Sequence, residues 1–348
     1  MEEQRNNFNM LDRIPQPGFL VSRDLIIHVN QAASAMLLTE GQTFSDLLAT
    51  GKEDYAAFEG GQLCLTLSIA EKPHNAVITD LQNCHLVLLD QESNMEEFRS
   101  MALVSMQMRA PLMQAISSAQ QLAEHQDDPA AAKLNRSLMQ MLRLVSNMAD
   151  VSAYASSSRM ETRDVDAFLL ELFEKAQALT GENISISFEG MKQPVFSLMD
   201  PEQLERAIWN LLSNCIKFMP DGGSITARLV RQGKTLRLTM EDSGSGIAEN
   251  VRADLFQRYL RQPGIEDCRF GLGLGLAIVR SAAANHGGTV LVGSTKTGGT
   301  KIVLTMAIRQ NEGNTLRSPL FRPDYTGGWD HGLVELSDCL GAEWYKLL

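Results

Sequence analysis

Between positions 210 and 300 a set of side chains and glycines has the spacing to hold an anion. In Asn210-Leu-Leu-Ser-Asn-Cys-Ile-Lys-Phe218 the polar residues Asn210, Asn214 and Lys217 recur at i, i+4 and i+7. On a helix they share one face, opposite Leu211, Leu212 and Ile216. In Gly271-Leu-Gly-Leu-Gly-Leu-Ala-Ile-Val279 glycines alternate with leucines before an apolar run of helical character. Such a turn lets backbone N–H groups converge on an anion, and the helix adds its positive dipole end. Glu241-Asp-Ser-Gly-Ser-Gly-Ile247 supplies an acidic turn, with Asp242 as hydrogen-bond acceptor.

The elements that must position these groups can be read around them. Asp200-Pro-Glu is a capped helix start with proline in the first turn, so the helix bearing Asn210, Asn214 and Lys217 begins there. Leu236–Met240 alternates as a strand and delivers the Asp242 turn. Thr297-Gly-Gly-Thr300 reads as a tight turn entering a strand to Met306, residues 166–180 as a helix, and residues 184–188 and 195–198 as strands.

In this order the segments resemble the ATP-binding domain of sensor histidine kinases, a fold shared with gyrase, Hsp90 and MutL. There they are the N box, the G1 box, the F box (Leu255-Phe-Gln-Arg-Tyr-Leu-Arg261) and the G2 box. The resemblance implies a two-layer α/β sandwich that binds ATP with Mg²⁺. Asn214 would be the metal ligand and Asn210 would line the same site. Asn210 stands where ATPases of this superfamily place a glutamate base, so fast hydrolysis is not expected. Lys217 and Arg261 would meet phosphate, and Asp242 would accept from the adenine amino group. Gly244, Gly246, Ile247, Gly271, Leu272, Gly273, Leu274, Gly275, Leu276 and Thr300 would line the nucleotide, and Phe256 would pack. Residues 262–270 would form a short lid. Each assignment has a plainer counterpart: a solvated helical lysine, a turn-forming aspartate, a threonine paired in the sheet.

Residues 91–159 read as a helical hairpin. One heptad seam runs through Phe98, Met101, Ser105, Met108, Leu112, Ala115, Ala119 and Leu122; a second runs through Leu134, Leu138, Met141, Val145, Met148, Ser152 and Ala155. One hairpin cannot cover that stripe, and two would make a dimeric four-helix bundle. Each large seam side chain contributes about 1.5–3 kcal/mol when buried. The resemblance identifies this as the dimerisation and phosphoacceptor hairpin. Ser105-Met-Gln-Met-Arg-Ala-Pro-Leu112 keeps Arg109, Pro111 and Leu112 of the family's pattern, but Met106 occupies the histidine position and Gln107 the adjacent acid position. A thioether cannot carry a phosphoryl group as imidazole does, and an amide is no general base. Ala110 replaces the residue that positions water. His125 and Ser105 are the other acceptors to weigh. The first sits at the hairpin tip and the second in the seam.

Residues 1–90 read as a short, diverged PAS-like α/β module. It has strands either side of Ser22-Arg-Asp24, a helix over 30–38, and strands at 62–69 and 85–89, with His28 a strand residue. The apolar share of 44% allows each part a core, and 348 residues suit two or three domains. A net charge of −11 argues against nucleic acid as partner. Five scattered cysteines without a C-x-x-C pair fit reduced thiols. No apolar run nears the ~20 residues of a membrane span, so a cytoplasmic protein is expected. Residues 309–348 form a tail of unassigned role, whose aromatic residues suit docking on its own domain.

The fold class expected is therefore α+β: PAS-like module (1–90), hairpin (91–159), ATP-binding domain (160–308) and tail. The function expected is a homodimeric regulatory relative of histidine kinases that binds Mg·ATP without phosphorylating itself at position 106. Its partner would be a response regulator or another histidine kinase. An active kinase using another acceptor or acting in trans, and a non-catalytic scaffold, fit the same residues.

Overall fold

The computed structural model describes residues 2–81, 83–90, 95–123, 129–152, 159–246, 274–310 and 324–346. Its spine is a ten-stranded sheet in the order β2-β1-β5-β4-β3-β11-β12-β10-β9-β7. The strands are β1 (Gly18–Ser22), β2 (Leu25–Val29), β3 (Gln62–Ile69), β4 (Lys72–Asp80), β5 (His85–Leu89), β7 (Ile184–Glu189), β9 (Gly223–Gln232), β10 (Thr235–Asp242), β11 (Val290–Ser294) and β12 (Thr300–Ala307). All neighbours pair antiparallel except β7 and β9, which run parallel. A separate two-stranded ribbon joins β6 (Glu161–Asp164) to β8 (Phe196–Met199).

The helices α6 (Val165–Thr180), α7 (Pro201–Lys217) and α8 (Gly275–Asn285) pack with β7, β9, β10, β11 and β12 around one core. Alternation drives this layer. Ile225, Ala227 and Leu229 of β9 and Leu236, Leu238 and Met240 of β10 are buried there, as are Leu204, Ile208, Trp209, Leu211 and Leu212 of α7. Asp200 caps α7 as expected, its Oδ1 accepting from Gln203 N at 3.2 Å. Buried His286 ties α7 to the end of α8. Its Nε2 lies 2.9 Å from the Asp200 N–H and its Nδ1 2.6 Å from the Ala282 carbonyl, which makes it a neutral Nδ1–H tautomer. Burial lowers its pKa, in keeping with that neutral form.

In the N-terminal part the two strands around Ser22-Arg-Asp24 form as expected, and His28 lies in β2 between Asp12 and Glu40. The helix expected over 30–38 is shorter, Gln31–Ser34 (α2), because Leu37 adopts φ 66°, a left-handed backbone no helix contains. Strands β4, β9 and β11 go beyond the expected elements.

Two long helices form the hairpin, α4 (Met95–Ala123) and α5 (Pro129–Ser152), with Pro111 inside α4. The buried face of α4 departs from the strict heptad: Ser105, Leu112, Ile116 and Ala119 are buried, while Met108 and Ala115 are exposed. On α5 Leu138 and Val145 are buried as expected, but Leu134 and Met141 are exposed and Leu142 and Arg143 go inward. The inward face of α5 is wider than a seam because a third element covers it (below). The side chains of Phe98, Met101, Leu122 and Ser152, and residues 125 and 155, lie outside the described residues.

The N-terminal strands and the later layer are one sheet because β3 pairs with β11, Cys64 opposite Val290 and Gln62 opposite Val292. Asp54 in α3 (Lys52–Ala56) strengthens this junction, bound to Arg237 of β10 and accepting from Thr289 Oγ1 at 2.7 Å. Arg280 of α8 reaches Asp90 at 2.6 Å. Replacing Asp54 with Ala removes a hydrogen-bonded charge from two partners. The expected loss is about 1.5–3 kcal/mol, read from urea unfolding of the full chain.

Candidate functional site

Helix α7 carries the polar face anticipated for it, in a setting the sequence does not announce. Asn210 is buried, its Nδ2 donating to the Arg206 carbonyl at 2.9 Å. That bond orients the amide, so Oδ1 faces the start of α8. A Cβ added to Gly275 would sit 2.9 Å from Asn210 Oδ1, so the first residue of α8 approaches α7 as only glycine can. Leu274 beside it is buried, and Leu276 is partly so. Asn214, one turn on, is half-buried.

Asp242, at the end of β10, is buried and holds the two glycine turns together. Its Oδ1 accepts from Gly244 N at 2.9 Å and from Thr300 N at 3.0 Å. An ionised carboxylate has about four acceptor positions, so both bonds leave room for another donor. The Cys215 thiol of α7 also reaches Asp242. Burial pushes its pKa well up, with the Asp242 charge adding to the effect, so it stays protonated and acts as a donor. Gly246, at φ 72°, passes so close to the Gly298 carbonyl that no side chain fits. Asn210, Asn214, Asp242, Gly244, Gly246, Gly275 and Thr300 therefore come from four places in the chain to neighbouring positions around the C-terminal half of α7. Ile247, Phe256, Arg261, residues 262–270, Gly271, Leu272 and Gly273 lie outside the described residues.

Lys217, further along the same helix, is already paired. Its Nζ lies 2.9 Å from Asp338 Oδ2, and the same oxygen lies 2.6 Å from Arg143 Nη1. Arg143 Nε is 3.1 Å from Glu335 Oε2, and Arg206 Nε is 3.6 Å from Glu335 Oε1. Arg143 Nη2 also approaches Asn210 Oδ1 at 3.5 Å, and Arg206 Nη2 donates to Asn147 Oδ1 at 2.8 Å. Every side chain in these four ion pairs is at most 8% exposed. Burial, then the neighbouring Arg143 charge, lowers the Lys217 pKa against the opposing pull of Asp338.

Glu335 and Asp338 belong to the C-terminal segment, which docks on its own chain as expected. The segment includes α9 (His331–Glu335) and a 3₁₀ turn, Ala342–Tyr345. It lies between α5 and α7, burying Val334, Leu336, Leu340 and Tyr345. Arg136 donates to the Ser337 carbonyl at 2.9 Å and Asn135 to the Tyr345 carbonyl at 3.0 Å. The Arg206 guanidinium stacks 4.4 Å from the Tyr325 ring centroid. His331 bridges Glu205 at 2.9 Å and Asp324 at 3.0 Å. The ion pairs of Glu335 and Asp338 escaped sequence reasoning because they span 121 to 195 residues, with no local spacing to reveal them.

On the hairpin, Met106 is 70% exposed and Ser105 1%. Gln107 is exposed as well.

Residues 199–310 match the family profile described as histidine kinase-, DNA gyrase B- and HSP90-like ATPase. The chain is 30% identical over 224 residues to "Sensor histidine kinase TmoS" of Ectopseudomonas mendocina, covering 61% of this chain and 23% of that protein. It is 22% identical over 308 residues to "Sensor histidine kinase WalK" of Bacillus subtilis, covering 84% of this chain and 50% of the relative. The match thus spans half or less of each relative's length. Among solved structures, full-length ShkA in complex with AMPPNP aligns with TM-score 0.50 at 21% identity, over 61% of this chain and 46% of that one. This likeness supports the fold. Among the described residues no helix is long and apolar enough to cross a membrane.

Two outcomes follow from the charge cluster. Glu335→Ala would leave Arg143 and Arg206 buried beside a lost carboxylate, at an expected cost of about 3–5 kcal/mol in denaturant unfolding. His331 has its pKa raised: burial opposes the charged ring, but Glu205 and Asp324 outweigh it. Its contribution to docking is full below the ordinary histidine pKa of about 6.5 and is lost as pH rises through the raised value. Hydrogen exchange of residues 324–346 should therefore speed up over that rise, beyond its intrinsic pH dependence, and His331→Gln should flatten the difference.

Proposed function

We propose that this chain, built on a histidine kinase-, gyrase B- and HSP90-like ATPase domain, is a regulatory relative of sensor histidine kinases that binds Mg·ATP and does not phosphorylate itself at residue 106. The observation that carries the reading is the gathering of Asn214, Asp242, Gly244, Gly246, Gly275 and Thr300 around one end of α7. The donor set fits a magnesium nucleotide: Asn214 offers a half-exposed amide oxygen, a hard ligand, while Asn210 Oδ1 is turned to Gly275 and Arg143 and lines the site without ligating. Bound Mg²⁺ would neutralise charge on the phosphates. Asp242 would accept from the adenine amino group while its Oδ1 keeps the two glycine turns in register. The start of α8 would direct backbone N–H groups toward phosphate.

Residue 106 faces solvent, where an acceptor would be needed, but a methionine there offers no nucleophile. Ser105, which has one, is buried toward α5. This favours a regulator over a kinase with a shifted acceptor. We assign dimerisation to a second hairpin laid on Leu103, Val104 and Met108 of α4 and Leu134 and Met141 of α5, all exposed apolar residues. A response regulator or another histidine kinase would then read the hairpin. The division into a PAS-like module (1–90), hairpin (91–159), ATP-binding domain (160–308) and C-terminal segment is part of the same proposal, as is a cytoplasmic site of action.

Two measurements test it. Asp242→Ala is expected to weaken Mg·ATP binding at least tenfold in a fluorescence titration. A variant that binds as well as the parent would remove Asp242 from the site. Incubation with γ-labelled ATP is expected to leave the purified chain unlabelled, and stable label, acid-labile or not, would return it to the kinases.

A further inference from the structure

The Asp338 carboxylate is shared by two cations that come from different parts of the chain, Arg143 of the hairpin and Lys217 of α7, through a single oxygen, Oδ2. Lys217 continues the face that bears Asn210 and Asn214, and Arg143 approaches Asn210 Oδ1 at 3.5 Å. In the nucleotide reading proposed above, the pair would stand on the phosphate side of the α7 site, covered by Asp338. Arg143, Arg206 and Lys217 carry three positive charges against the two of Glu335 and Asp338, a net of +1 within this set of ion pairs. A single carboxylate oxygen accepting from both an ammonium and a guanidinium reproduces what one oxygen of a phosphate would accept there. A polyphosphate carries more negative charge and more acceptor oxygens than a carboxylate, so both cations bind it more strongly.

We propose that Arg143 and Lys217 together form a receptor for the terminal phosphates of the nucleotide, and that Asp338 occupies it as a built-in competitor. The inference rests on the nucleotide reading of the α7 cleft. The exchange turns the Asp338 side chain away and opens a site at most 8% exposed while Asp338 fills it; the segment's main chain is held independently by Arg136 and Asn135. It couples three elements. When phosphate takes Lys217 and Arg143, Asp338 loses both partners and the C-terminal segment loses its charged link to α5 and α7. Nucleotide occupancy is thereby reported to the hairpin through Arg143.

The test is a titration of the full chain with a fluorescent ATP analogue and with the matching AMP analogue, each with Mg²⁺. Asp338→Asn keeps the side-chain shape but removes the competing charge. Its affinity for the ATP analogue is expected to rise at least fivefold, with little change for AMP, which lacks the terminal phosphates. Arg136→Ala, which frees the Ser337 and Asp338 carbonyls without touching the cations, is expected to shift ATP affinity the same way by a smaller factor. It decides the matter if Asp338→Asn fails to fold. Unchanged or weaker ATP binding in a folded variant overturns the proposal, and so does an equal gain for AMP. Asp242→Ala separates the two readings. If AMP binding depends on Asp242 but the charge variants leave ATP affinity alone, only the competitor falls. If no nucleotide binds parent or variants, the cleft assignment falls and takes this inference with it.

Discussion

A guanidinium stays protonated at any physiological pH, so burying one obliges the fold to bring anions to it. Arg143 and Arg206 are 4% and 2% exposed, and the segment that answers them is nearly two hundred residues from the first. This obligation shapes the C-terminal half of the molecule. Replacing such ion pairs by apolar residues is often neutral or stabilising, so their value lies less in net stability than in specifying one arrangement. Here that arrangement is a C-terminal segment held between α5 and α7. The apolar contacts of Val334, Leu336 and Tyr345 supply the attraction, and the carboxylates of Glu335 and Asp338 set the register.

The same logic explains why α5 departs from a simple seam. A helix in a hairpin buries one stripe against its neighbour, whereas α5 has α4 on one side and the C-terminal segment on another. Asn135, Arg143 and Asn147 are consequently buried polar residues, each with a hydrogen-bonding partner. Met108, Leu134 and Met141, expected in the seams, stay outside because burial within a single hairpin is claimed by Ser105, Leu112, Ile116 and Ala119.

Much of the layer that matches the family profile is legible in the sequence. Its signals are local: Asp200-Pro as a cap, the alternation of Leu236–Met240, and the i, i+4, i+7 face of α7. Glycines at 244, 246 and 275 were also readable, because close approach demands glycine wherever it occurs. Strands β4, β9 and β11 escaped that reading. β4 opens on the polar run Lys72-Pro-His-Asn75 and β11 has Leu291 between Val290 and Val292, so neither alternates cleanly; β9 does, over Ile225, Ala227 and Leu229, and its signal was open to the same reading. The junction of β3 with β11 is a main-chain pairing between segments more than two hundred residues apart, which side-chain patterns do not encode. Lys217 was placed on the right face, but its partner could not be found, since nothing in Ser337-Asp-Cys339 distinguishes Asp338 from any other surface aspartate.

Under the proposed nucleotide reading, Asp242 and Lys217 would answer a ligand differently. Asp242 is committed to structure, because its Oδ1 ties the Gly244 and Thr300 turns, so the base end of such a site would be preorganised. Lys217 is held by a side-chain carboxylate on a separate segment, so the phosphate end would be neutralised by a contact that another anion can replace. Arg143 is anchored in α5 and not in α7. It would carry that exchange to the hairpin with no nucleophile at residue 106.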